Sequence, residues 1–109
     1  MSSYSPDKWV IVKIEHPEHG VHHKILGGWS GGYIDGDSWK LSSGLVKIEE
    51  EGDFYLMHNH SGSIYKCHKK AVGMNVISAS IYSQMKGQSE EIEGSSVTTI
   101  TPEQFNKEK

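Results

Sequence analysis

Residues 8–15 read KWVIVKIE, which puts Val10, Val12 and Ile14 on one side of an extended chain and Trp9, Ile11 and Lys13 on the other. This two-residue alternation recurs in short stretches cut apart by glycine, and it constrains the fold more than any other feature. The turn HPEHGVHH (16–23) follows, with Pro17 and Gly20 as breakers, and HKILGGW (23–29) reads as a second strand. SWKL (38–41) and GLVKIEEE (44–51) continue the pattern, with Val46 and Ile48 alternating against Lys47 and Glu49. Gly52-Asp53 turns the chain into FYLMHNH (54–60), and Ser61-Gly62-Ser63 turns it into IYKCH (64–68). Short strands with tight connections imply an antiparallel meander.

The stretch 74–87, MNVISASIYSQMKG, carries two periods at once. Ile77, Ile81 and Met85 recur at helical spacing, with Asn75 as cap and Gly87 as stop. Val76, Ser78, Ser80 and Tyr82 would share a strand face instead; we expect the helix. SSVTTI (95–100) reads as a late strand, and TPEQ (101–104) as the start of a terminal helical turn. The expected fold class is therefore α+β, a small curved or barrel-like antiparallel sheet with one helix. The chain reads as a single domain over 1–109, with an acidic surface loop at 88–94 and a C-terminal tail at 101–109.

With 109 residues, of which 35% are hydrophobic, the core should be thin, and self-association to a homo-oligomer would complete it. All 11 basic residues are lysine and the formal net charge is -3. Arginine is the usual reader of phosphate pairs and of base edges, so double-stranded DNA is not an expected partner. Cys67 is the one cysteine, which rules out an intrachain disulfide and fits a reducing, cytoplasmic setting. The opening residues lack the layout of a signal peptide, and no run approaches the roughly 20 apolar residues that span a bilayer, so no membrane partner is expected.

The segment GGWSGGYIDG (27–36) is half glycine yet carries Trp29 and Tyr33, with Trp39 and Lys40 just beyond. Consecutive glycines can turn backbone N–H groups into an anion-binding nest. Flat rings offer stacking for a nucleobase, worth roughly 1–3 kcal/mol per base. The candidate ligand-binding residues are Gly28, Trp29, Ser30, Gly31, Gly32, Tyr33, Trp39, Lys40, Tyr65 and Lys66. Lys69 and Lys70 could add charge, and Ser38, Ser42, Ser43, Ser61 and Ser63 small hydrogen-bonding groups. The competing explanation is structural: glycines that permit a bulge or bend, over aromatics that belong to the core. No phosphate-loop or dinucleotide motif supplements the segment.

Other signals carry less. Gly28-Trp29-Ser30-Gly31-Gly32 matches G-x-S-x-G, but that motif needs a strand-to-helix turn in a large parallel sheet. His58 and His60 would share a strand face and could hold a metal with His68 or Asp53, or simply sit at a solvated strand end. His16, His19, His22 and His23 crowd one turn, where protonation would add charge as pH falls through the mid-sixes. Cys67 and His68 are adjacent and so face opposite sides of a strand. No cofactor is implied and no catalytic set is assembled.

KWVIVKI (8–14), GGYIDGDSWKLSSGL (31–45) and SGSIYKCHKKAVG (61–73) together resemble small uncharacterised proteins encoded by tailed bacteriophages. The resemblance spans residues 8–75 and carries no assigned chemistry. It implies an accessory role in the host cytoplasm, by sequestering a nucleotide signal or blocking a host protein, with a counter-defence outcome. The leading expectation is a non-enzymatic binder of a small anionic, nucleotide-like ligand. The alternatives are a protein–protein inhibitor of a host enzyme, with the aromatics as anchors and Glu90, Glu91 and Glu93 meeting a basic partner, and a metal-dependent hydrolase built on His58 and His60.

Overall fold

The computed structural model describes residues 3–32 and 36–108. Its elements run β1 (Ser3–Tyr4), β2 (Lys8–His16), β3 (Gly20–Gly32), β4 (Gly36–Leu41), β5 (Leu45–Glu51), β6 (Phe54–Asn59), β7 (Ile64–His68), α1 (Val76–Glu90), β8 (Ser96–Ile100) and α2 (Pro102–Glu108). They form two four-stranded sheets, ordered β1-β7-β6-β5 and β4-β3-β2-β8. The class is α+β and mostly antiparallel. The sheets remain separate and do not close into a barrel, and β1 joins β7 in parallel. No helix among the described residues is long and apolar enough to cross a membrane.

The parity of β2 builds the layers. Trp9 and Ile11 face the first sheet and pack with Ile25, Leu45, Met57, Tyr65 and Cys67. Val10 and Val12 face the other way and pack with Leu26, Val97 and the α1 residues Ile81, Tyr82 and Met85. The order is thus sheet, sheet, helix, and β2 is buried on both sides. Fully burying side chains of this size contributes roughly 1.5–3 kcal/mol each. Trp9 also ties the sheets together: its Nε1 donates to the His68 carbonyl at 2.7 Å.

Local chemistry fixes the ends. β2 and β3 pair from Lys8↔Gly28 to His16↔Gly20. Their turn is held by His16 Nδ1, which accepts from the amides of Glu18 and His19, and Gly20 takes φ +80°. Asn75 and Ser78 form a reciprocal capping box at the start of α1. Thr101 and Gln104 do the same for α2, whose Phe105 is buried in the inter-sheet core.

Four expectations need correction. The described residues form two helices, not one, and the 101–109 tail is largely the helix α2. Gly87 does not stop α1, which continues to Glu90 and therefore takes in the first residues of the proposed 88–94 loop. Nothing lies within 4 Å of where a Gly87 Cβ would be, so the glycine is tolerated on an open helix face. In β5 a register shift between Leu45 and Lys47 rotates the chain by one residue. Leu45 and Ile48 consequently face the core, and Val46 is 45% exposed.

A candidate ligand cleft between the sheets

Strand parity also divides the candidate residues. Leu26 pairs with Leu41 on the α1 face, and Gly28↔Trp39, two residues along, belongs to the same face. Gly27↔Lys40 and Trp29 belong to the inter-sheet face. Trp29 and Trp39 therefore stand on opposite sides of one sheet and cannot flank one ligand. In β7, Tyr65 faces inward, whereas Lys66 faces outward, its Nζ 4.6 Å from the Phe54 ring centroid.

The glycines next to Trp29 are packing residues. Neither Gly27 nor Gly28 adopts the left-handed region, and both lie in β3 between paired strands. A Cβ on Gly27 would sit 3.1 Å from Pro6, and one on Gly28 would sit 2.8 Å from the Asn75 side chain. The Ser30 amide already donates to Asp7 Oδ2 at 2.9 Å, and Trp29 Nε1 donates to the Ser5 carbonyl at 3.0 Å. A carboxylate thus occupies the backbone that the anion nest would have used at Ser30. Gly31 and Gly32 close β3 where its pairing with β4 slips between Trp29 and Gly32. Tyr33 lies outside the described residues.

Lys40 and Tyr65 instead meet across the gap between the sheets. They line a cleft of about 530 Å³ together with Tyr4, Ser42, Ser43, Ser61 and Ser63. That volume falls within the usual range for small-molecule sites, roughly 300–1,000 Å³. Lys40 is exposed, and its Nζ stands 4.9 Å from the centroid of the Tyr4 ring, which steadies the ammonium over the mouth. Tyr4 in turn packs on Tyr65 (5.1 Å) and edge-on to Trp29 (6.5 Å). Trp29 therefore supports the wall of the cleft rather than offering it a face.

The serines form a hydroxyl chain. Ser43 Oγ donates to Ser61 Oγ at 2.9 Å and accepts from the Ser61 amide at 3.1 Å, and Ser61 Oγ lies 3.3 Å from Ser63 Oγ. Ser42 is buried, and its Oγ accepts from the Ile25 amide at 2.8 Å. Tyr65 is 1% exposed, and its hydroxyl is buried with no hydrogen-bond partner among the described residues. Burial, with Tyr4 and Cys67 beside it, pushes the phenol up to about 12, so at neutral pH it keeps its proton and can donate a hydrogen bond. Among the described residues, the lining includes one cation and no carboxylate, which makes the cleft suited to an anion bearing several oxygens.

Sequence reasoning selected Lys40 and Tyr65 and noted the serines without weighting them. It missed Tyr4, which sits in a stretch with no strand pattern and becomes part of a sheet only by pairing with β7. The histidines do not converge. His58 Nε2 lies 2.6 Å from Glu49 Oε1, while His60 lies past the end of β6, its amide donating to the Gly44 carbonyl. His68 Nδ1 accepts from the Lys70 amide. Among the described residues, no three His, Cys, Asp or Glu side chains gather closely enough to hold a metal ion. In the hairpin turn, the His16 and His19 rings stack at 4.4 Å, and His23 packs edge-on against Phe105. Cys67 is buried, which pushes its thiol up to about 12.

No protein-family model, curated protein or solved structure matches this chain.

Proposed function

We propose that the protein binds a small anionic, nucleotide-like ligand in the cleft between Lys40 and Tyr65, and that it acts by holding this ligand rather than transforming it. One observation carries the reading: the Lys40 ammonium stands beside a hydroxyl-lined cleft whose lining, among the described residues, includes no carboxylate and no second cation. The ammonium supplies long-range attraction, and the serine hydroxyls supply donors that can rotate to meet ligand oxygens. The resemblance to small uncharacterised proteins of tailed bacteriophages implies an accessory role, which fits sequestration of such a ligand in a host cell with counter-defence as its outcome. Calorimetry with nucleotides, sugar phosphates and inorganic phosphate tests the reading. Micromolar binding that Lys40→Gln weakens supports it, and silence across the panel from folded protein removes it.

A second reading rests on a different surface. Trp39 is 41% exposed, and Val76, next to the Asn75 cap that bonds to the Ser38 carbonyl, is 84% exposed. Exposed tryptophan is a common anchor of protein interfaces, so this end of α1 suits the protein–protein inhibitor. Trp39→Ala would then abolish partner capture while leaving ligand binding in the cleft intact.

A further inference from the structure

We propose that the Tyr65 hydroxyl reads an uncharged oxygen on the body of the ligand while Lys40 and the serine chain hold one negative charge, so that the ligand class is a singly charged phosphodiester. This rests on the anionic-ligand reading above and narrows it. Two observations on opposite walls of the cleft support it independently.

The first is the unpartnered phenol. A buried hydroxyl without a partner costs about 1–3 kcal/mol, and proteins rarely leave one without a use. Tyr65 is packed by Tyr4 at 5.1 Å and lies in the inter-sheet core, so its ring has little freedom to move its hydroxyl elsewhere. It also lines the cleft. A ligand acceptor reaching that point would satisfy a donor the fold has left open.

The second is the charge balance. Among the described lining residues, Lys40 is the one cation, and the ring of Tyr4 lies between it and Tyr65. A second negative charge carried deeper would meet hydroxyls alone, and burying an uncompensated charge is expensive. The charge therefore belongs at the mouth, near Lys40 and the Ser43–Ser61–Ser63 chain. The deep end takes a neutral acceptor. A phosphodiester carries one charge where a phosphate monoester carries nearly two at neutral pH.

The test compares three probes sharing one nucleoside: a cyclic mononucleotide, its 5′-monophosphate and the free nucleoside. The cyclic form should bind most tightly. Tyr65→Phe should weaken it about tenfold or more while leaving the thermal midpoint equal or higher, because the orphan hydroxyl is gone. Lys40→Gln should bring the cyclic nucleotide down to the level of the nucleoside. Unchanged affinity in Tyr65→Phe would overturn the role of the phenol. A 5′-monophosphate that binds as tightly as the cyclic form would overturn the single-charge assignment yet leave the anionic reading standing. Failure of every phosphate-bearing probe would end both.

Discussion

The side chain of Asn75 rests on the bare backbone of Gly28: a Cβ at that glycine would stand 2.8 Å from the Asn75 Cγ and Oδ1 atoms. The same carboxamide accepts from the Ser78 amide as the cap of α1 and donates to the Trp29 carbonyl at 3.2 Å. One contact thus joins the start of the helix to the middle strand of its sheet. Gly28→Ala should destabilise the protein by about 1–3 kcal/mol, the usual cost of overpacking. Asn75→Ala should lose a cap worth about 0.5–2 kcal/mol. Because the two residues share one contact, the double variant should cost less than the sum of the singles in chemical denaturation. Simple additivity would show that the contact is not what excludes a side chain at Gly28.

Lys40 should impart a salt dependence to ligand binding. Affinity of the wild-type protein should fall as salt is added, while the weaker Lys40→Gln variant should respond little. Lys66→Gln, which removes a charge from the outer face, should bind like wild type. Equal losses in both variants would point to a diffuse field rather than to the cleft.

Gly87 lies inside α1 with open space where a side chain would be. Gly87→Ala should therefore stabilise the protein by about 0.5–1 kcal/mol, readable as a higher thermal midpoint. A fall in the midpoint would mean that the helix does not run through this position in solution.

Glu108 links α2 to the second sheet through Lys13 Nζ at 2.6 Å, with His23 Nε2 at 3.5 Å. The hydrogen bond from Lys13 holds the Glu108 carboxyl below its ordinary value. A carboxyl lowered in the folded state contributes stability above its unfolded pKa, and that contribution is lost as pH falls through the lower, folded value. The protection of α2 amides, corrected for the intrinsic pH dependence of exchange, should thus fall on acidification below the ordinary carboxylate range. Glu108→Gln should remove that part of the pH dependence. If the variant keeps the full acid response, other carboxylates control the docking of α2.

Cys67 should resist thiol reagents in the native protein and react promptly once denaturant is added, since burial disfavours the thiolate. Fast labelling without denaturant would show that the inter-sheet core opens readily.

Most strands were legible because their alternation is local: β2, β6 and β7 follow the turn residues that bound them. The same rule, applied one step further, separates the candidate site. Trp39 and Lys40 are neighbours in one strand, as are Tyr65 and Lys66, so each pair must split between opposite faces. What the sequence could not reveal depends on distant partners. The bulge after Leu45 sends Val46 outward, and only the pairing with β6 exposes it. The need for glycine at positions 27 and 28 comes from Pro6 and Asn75, which no local pattern links to them. The cleft itself joins β4, the β6–β7 turn and β1, segments that meet only after both sheets have formed.

The two walls of that cleft belong to different sheets, with Lys40 on one and Tyr65 on the other. Its aperture is therefore set by how the layers stack, not by the spacing within any strand. A molecule lodged there acts as a rivet between plates, and its departure should loosen residues far from the rim.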